Sequence, residues 1–133
     1  MPETSQIALK TILTYIRSFA GSMLQTSGRF YPCAVKYRDG KIEPLEAPDA
    51  HGGQLIEFLR TACHDTLAQG DYDATALAID VWLDDEHHED GLQVTLFSPD
   101  FPPIDLLMSW KRTATGVEYG KIRILSPDSR DDA

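Results

Sequence analysis

The sequence is poor in the residues that build covalent or metal-bound frameworks. Its 133 residues include two cysteines, Cys33 and Cys63, with no Cys-x-x-Cys or Cys/His ligand spacing. Neither a disulfide scaffold nor a zinc ribbon is expected, and both thiols read as reduced, buried groups that pack as small hydrophobes. Apolar runs stop well short of the roughly 18–20 residues that a membrane span needs. The opening segment MPETSQIALK has no basic stretch followed by an apolar core. No signal peptide is therefore read, and a cytoplasmic compartment is expected.

Positive charge is also scarce where it would matter for binding phosphates. Residues 49–100 hold one basic residue, Arg60, against twelve Asp/Glu, whereas residues 1–48 hold six Lys/Arg against four acids and residues 101–133 five of each. The net charge of −9 thus comes from the middle third. Such a field repels nucleic acid and anionic lipid and attracts cations or basic proteins. Neither a nucleic-acid nor a membrane partner is expected. The composition, 42% hydrophobic and 25% charged, is that of one compact domain, which at this length buries roughly two-thirds of its unfolded surface without a staple.

Hydrophobic periodicity supplies the elements. Ile7, Ile12, Ile16, Phe19, Ala20 and Met23 recur at helical spacing and predict a helix over about residues 4–25. Asp39-Gly40 lies between the short runs Ala34–Tyr37 and Lys41–Leu45. An Asp-Gly pair supplies the positive φ angles of a tight hairpin, and Pro44, which lacks an N–H, predicts an edge strand. Leu55, Ile56, Leu59, Ala62, Cys63, Thr66 and Leu67 predict a second helix ending at Gly70, with Asp49 as a candidate cap. The period then changes to two: Leu77, Ile79, Val81 and Leu83; Leu92, Val94 and Leu96; Ile104, Leu106, Met108 and Trp110; and a fourth run from Val117 to Leu125. The expected fold is α+β, in the order α-β-β-α-β-β-β-β, as one domain over residues 1–125 with a disordered acidic tail at 126–133. Both helices are expected on one face of an antiparallel sheet, over Leu77, Ile79, Val81, Leu83, Val94, Leu96, Leu106 and Met108.

On that map the run Asp84-Asp85-Glu86-His87-His88-Glu89-Asp90 is the turn between the first two strands of the meander. Three readings compete: a solvated tip, a metal site using His87 and His88, and a docking surface for a basic protein. Adjacent residues of an extended chain point to opposite sides, so His87 and His88 do not converge on one ion unaided. The calcium-loop pattern is absent, and no metal or other cofactor is expected. Five carboxylates in seven residues would raise the pKa of both histidines.

Cys63-His64-Asp65 are consecutive on a helix, where side chains splay by about 100° per residue, and form no relay. His51-Gly52-Gly53-Gln54 lacks the Lys and Ser/Thr of a phosphate loop. Trp110-Lys111-Arg112 with Lys121 and Arg123 reads as cross-strand pairing to acids rather than a nucleic-acid surface. No catalytic residues are assigned.

If both helices lie on one face, the other carries Trp82, Phe97 and Leu107 among polar residues, which is the look of a protein interface. The expectation is a non-catalytic, acidic protein-binding module. Trp82, Phe97 and Leu107 would anchor a partner, and Asp84, Asp85, Glu86, Glu89 and Asp90 would steer it. The partner would be basic, or a second copy of the chain. The alternative is a metal-dependent protein built on the His/acid hairpin.

The F-x-P-x-A-V segment at Phe30–Val35 with its Asp-Gly hairpin, the stretch LIEFLRTACHDTLAQG and the strand AIDVWL resemble a family of short uncharacterised bacterial proteins. That resemblance brings no activity and no site residues. The helix–hairpin–helix–meander order is also similar to that of small acidic immunity-type proteins. This implies inhibition of a toxin or nuclease by occlusion, on analogy of fold and charge alone.

Overall fold

The computed structural model describes residues 3–27, 32–46, 52–84 and 89–125. Two helices and seven strands follow the chain as α1 (Glu3–Ser27), β1 (Cys33–Arg38), β2 (Lys41–Pro44), α2 (Gly52–Ala68), β3 (Ala74–Asp84), β4 (Glu89–Ser98), β5 (Phe101–Thr113), β6 (Gly116–Tyr119) and β7 (Arg123–Leu125). The strands form one antiparallel sheet in the order β2-β1-β3-β4-β5-β6, with β7 also on β5. The α+β class is as read from the sequence, and so is the order of the elements, except that five strands rather than four follow α2. No helix among the described residues is long and apolar enough to cross a membrane. Asp49 and the tail 126–133 lie outside the described residues.

Local chemistry sets the elements where it is strong. Asp39 and Gly40 both take positive φ, 50° and 80°. This is the turn whose twist matches the strands it joins, so β1 and β2 pair tightly from Arg38↔Lys41 to Val35↔Pro44. Pro44 sits on β2, the outermost strand, where its missing N–H leaves no ladder bond unmade. At the end of α2, Gly70 takes φ 83° and donates its N–H to the Leu67 carbonyl, closing the helix as a left-handed glycine does. The run Val117–Leu125 breaks into β6 and β7, which pair with successive parts of the same edge of β5. The break is at Gly120, where a Cβ would run into the Ser109 hydroxyl while its N–H donates to the Ser109 carbonyl.

The helices lie on opposite faces of the sheet, not on one as expected. α1 inserts Ala8, Ile12, Ile16, Ala20 and Leu24 over Val35, Tyr37, Ala76, Ala78, Leu92, Val94, Leu96, Leu106 and Met108. α2 covers Ala34, Leu77 and Phe97 on the other side with Leu55, Leu59 and Cys63. The cause is register. Ala78 pairs with Val94 and Leu77 with Thr95, so the alanines of β3, and not its bulky residues, share a face with Val94 and Leu96. Small residues there make room for the large side chains of α1, as dense packing requires. Leu77 and Ile79 of β3 face α2 instead. A sheet buried on both sides also accounts for an interior containing Thr75, Thr95 and Asp105. The Thr95 hydroxyl donates to Asp105 Oδ1 at 2.6 Å, and the Thr75 hydroxyl donates to the Cys63 carbonyl at 3.2 Å.

Candidate functional site at the acidic end of the sheet

The outcome for the predicted anchors follows from this two-sided core. Phe97 is 2% exposed beneath α2, its ring edge-on to His64 at 4.7 Å and 67°. It is not a surface anchor, because the face expected to be open is the face α2 covers. Leu107, opposite Gln93, is half-buried. Trp82 pairs with Asp90 and Asp84 with Glu89, across a bulge that inserts one residue into β3. The side chains of residues 82–84 and 89 are outside the description, as are Asp85, Glu86, His87, His88 and His51 altogether. Among the described residues no three His, Cys, Asp or Glu side chains are grouped to hold a metal ion.

What the structure does bring together is Asp90 with a second acid, Asp80, and with the indole of Trp110, which the sequence placed in a basic strand patch rather than beside the acidic run. Asp80 lies opposite Leu92, and Asp90 is two residues from Leu92 on β4. Alternation along a strand therefore turns both carboxylates to the α1 side. On the other flank of β4, Gly91 pairs with Ser109, so Trp110 is the next residue along β5 and joins the same face. It belongs to the α1 core and is 8% exposed. Its Nε1–H is buried and makes no hydrogen bond among the described residues. Buried donors left in that state are few in native proteins and cost stability.

The electrostatics of this corner are strained. Partial burial pushes the Asp80 carboxyl above its ordinary pKa; the nearby indole N–H of Trp110 opposes this, the charge of Asp90 adds to it, and the Val81 backbone N–H opposes it again. The indole is near enough to act on Asp80 but is not in hydrogen-bonding geometry with it. Like charges on neighbouring strands repel, and no ion pair to Asp80 or Asp90 is formed among the described residues. The basic groups nearest in sequence are engaged elsewhere. Lys111 pairs with Glu118 at 3.6 Å, and Arg112 donates to the Gln25 carbonyl at 2.8 Å, capping the end of α1 as a cation does.

The remaining candidates carry no chemistry. Burial pushes the Cys33 thiol up to about 12, with the neighbouring Cys63 adding to it. The Cys63 thiol is raised by burial to about 11 against the lowering effects of Thr75 and Arg60. Both stay protonated, which is the opposite of an activated nucleophile. Cys63 is buried while His64 and Asp65 are exposed, as their helical spacing implied. Lys36 and Arg38 lie over the Tyr72 ring, at 4.7 and 5.1 Å from its centroid, with Lys36 also 3.8 Å from Glu43.

No family model matches the chain, and neither a curated protein nor a solved structure is similar to it. The likeness to short bacterial proteins therefore gives no family assignment, and the functional reading rests on the acidic corner itself.

Proposed function

We propose that the protein is a non-catalytic binding module that takes an arginine- or lysine-bearing segment of another protein at the end of its sheet, between Asp80 and Asp90. The observation that supports this reading is the pair of carboxylates facing one side from adjacent strands, with no cation between them among the described residues and the buried Trp110 N–H beside them. A guanidinium offers five N–H donors in a planar fork and can serve two carboxylates at once. Its arrival would favour the charged form of Asp80 against the burial that chiefly raises its pKa and would offset the smaller effect of the Asp90 charge. With the carboxylate drawn into place, the indole N–H gains an acceptor. The net charge of −9 would speed the approach of a basic partner more than it would strengthen the complex. If the partner is a toxin or nuclease, the module inhibits it by occlusion, in the manner of the immunity-type proteins its order of elements resembles. Phe97, buried beneath α2, has no part in this surface.

Titration calorimetry with a short peptide containing one arginine between glycines, set beside its citrulline counterpart, tests the proposal. Saturable binding is expected for the arginine peptide only, weakening as salt is added and lost in Asp80→Asn with Asp90→Asn. Equal heats for the two peptides, or binding unchanged in the double variant, would reject it.

A further inference from the structure

We propose that Tyr72 is a phosphorylation site and that Lys36 and Arg38 receive its phosphate. This goes beyond the acidic corner and uses none of its residues. Lys36 and Arg38 stand two residues apart on β1, so alternation turns both to one face of the sheet, the side that α2 covers. Both lie over the ring of Tyr72, in the turn between α2 and β3, with Lys36 Nζ 4.7 Å and Arg38 Cζ 5.1 Å from its centroid. The Tyr72 hydroxyl is the largest influence raising the Lys36 ammonium above its ordinary pKa, and Glu43 adds to it. Two cations thus converge on one phenol, in a chain whose net charge is −9.

Accessibility selects this tyrosine. A kinase takes its substrate as an extended segment, which surface connections supply and packed helices or paired strands do not. Of the tyrosines among the described residues, Tyr15 is within α1, Tyr37 and Tyr119 are within β1 and β6, and Tyr72 alone lies outside helix and strand. Tyr37 is 5% exposed, and the Tyr119 hydroxyl donates to the Arg17 carbonyl at 2.7 Å. Tyr72 is half-buried between Asp71 and Asp73, both exposed. Those carboxylates repel a free anion and suit a basic kinase cleft. A covalently attached phosphate is therefore favoured here over a dissolved one.

The cluster has no chemistry of its own; its phenol is the acceptor in a transfer run by another protein. The Tyr72 hydroxyl oxygen attacks the terminal phosphorus of a nucleoside triphosphate held by the kinase. The new oxygen–phosphorus bond forms as the bond from that phosphorus to its bridging oxygen breaks. The nucleoside diphosphate leaves, and the phenolic proton passes to a base of the kinase. The product sets nearly two negative charges and three strong acceptors beside Lys36 and Arg38. Lys36 can turn to them readily, because its pair with Glu43 is long at 3.8 Å and the Glu43 side chain is 50% exposed, where water screens it. A planar guanidinium such as that of Arg38 grips phosphate through two parallel hydrogen bonds. The modification therefore ties the α2–β3 turn to the hairpin of β1 and β2.

Treating the full chain with a broad-specificity tyrosine kinase, magnesium and ATP, and mapping the product by mass spectrometry, tests acceptance. Phosphate is expected on Tyr72 of the folded chain, and a chain unlabelled there overturns the proposal. A ³¹P NMR titration of the product tests the receiver, with the signal assigned by its absence in Tyr72→Phe. The second pKa of the phosphate, about 6 in an open chain, should fall by roughly one unit in the folded protein and return in urea. Lys36→Gln with Arg38→Gln should restore it in the folded chain as well. Asp80→Asn with Asp90→Asn should leave it lowered, so failure of the arginine site does not touch this result. A phosphate that titrates alike in folded protein and in urea overturns the proposal, and so does one unmoved in the Lys36/Arg38 variant. If that variant does not fold by circular dichroism, Arg38→Gln decides alone, and an unchanged phosphate pKa there is refutation.

Discussion

Replacing Phe97 by alanine separates a sheet covered on both faces from one covered on a single face. In the structure the ring is sealed between Leu59, Cys63 and Leu77, with His64 edge-on at 4.7 Å. Truncating a buried phenylalanine loses the transfer free energy of the ring and leaves a cavity, together about 3–5 kcal/mol. That is a large share of a domain's total stability of roughly 5–15 kcal/mol. With an unfolding entropy of about 2 cal/mol/K per residue, it should lower Tm by roughly 10–18 °C. The same change at an exposed position would stay within about 0.5 kcal/mol. Urea denaturation followed by far-ultraviolet circular dichroism, with a thermal melt alongside, reads the difference. The expected result is a midpoint shifted strongly downward with the slope unchanged, which marks lost stability rather than a changed unfolded state. A loss below about 1 kcal/mol would refute the packing of α2 over β4, and with it the two-sided core.

Two further outcomes follow. The Asp80 pKa is raised in the folded state, chiefly by partial burial and then by Asp90. The native protein is therefore relieved of a cost at low pH and bears it once the pH has risen through the folded pKa. Asp80→Asn should raise the urea midpoint near neutral pH and leave it unchanged in acid below the ordinary value of 3.8. Since the side chain is exposed to screening water, the gain should be roughly 0.5 kcal/mol or less; a loss of stability at neutral pH would contradict the strain assigned to this corner. For the cysteines, pKa values of about 12 and about 11 leave roughly one thiolate in ten thousand at Cys33 and one in a thousand at Cys63 near pH 8. Alkylation by iodoacetamide should be slow in the native protein and complete only in urea, and a thiol modified at the rate of a free cysteine would overturn that assignment.

How far the residues alone carry depends on the range of each interaction. The Asp39-Gly40 turn was legible because its requirement, two positive φ angles, is met within two residues. Both helices were legible because their apolar spacing repeats over many turns. The faces were not. Alternation says which residues of one strand lie together, but the pairing of Ala78 with Val94 joins residues far apart in sequence, and reading bulk as the core side put Leu77 on the wrong side of the sheet. The alanines of β3 were the signal, since Ala74, Ala76 and Ala78 form an apolar row of their own. Asp80 continues that row, and with the register in hand it would have stood out as a carboxylate at the end of a buried face. Asp90 was singled out within the acidic run. Its companions Asp80 and Trp110 come from two other strands and appear only when β3, β4 and β5 are laid side by side. The split of Val117–Leu125 was hidden for a similar reason, because it depends on the contact of Gly120 with Ser109.

The most direct test of the acidic corner is the indole N–H resonance of Trp110 in a ¹H–¹⁵N spectrum, assigned by its absence in Trp110→Phe and followed while the arginine peptide is added. A buried donor without an acceptor should begin upfield and move downfield in a saturable manner as Asp80 is drawn onto it, with no such movement in Asp80→Asn. A Trp110 resonance that stays still while the peptide binds, or that moves equally in the Asp80 variant, would contradict the account.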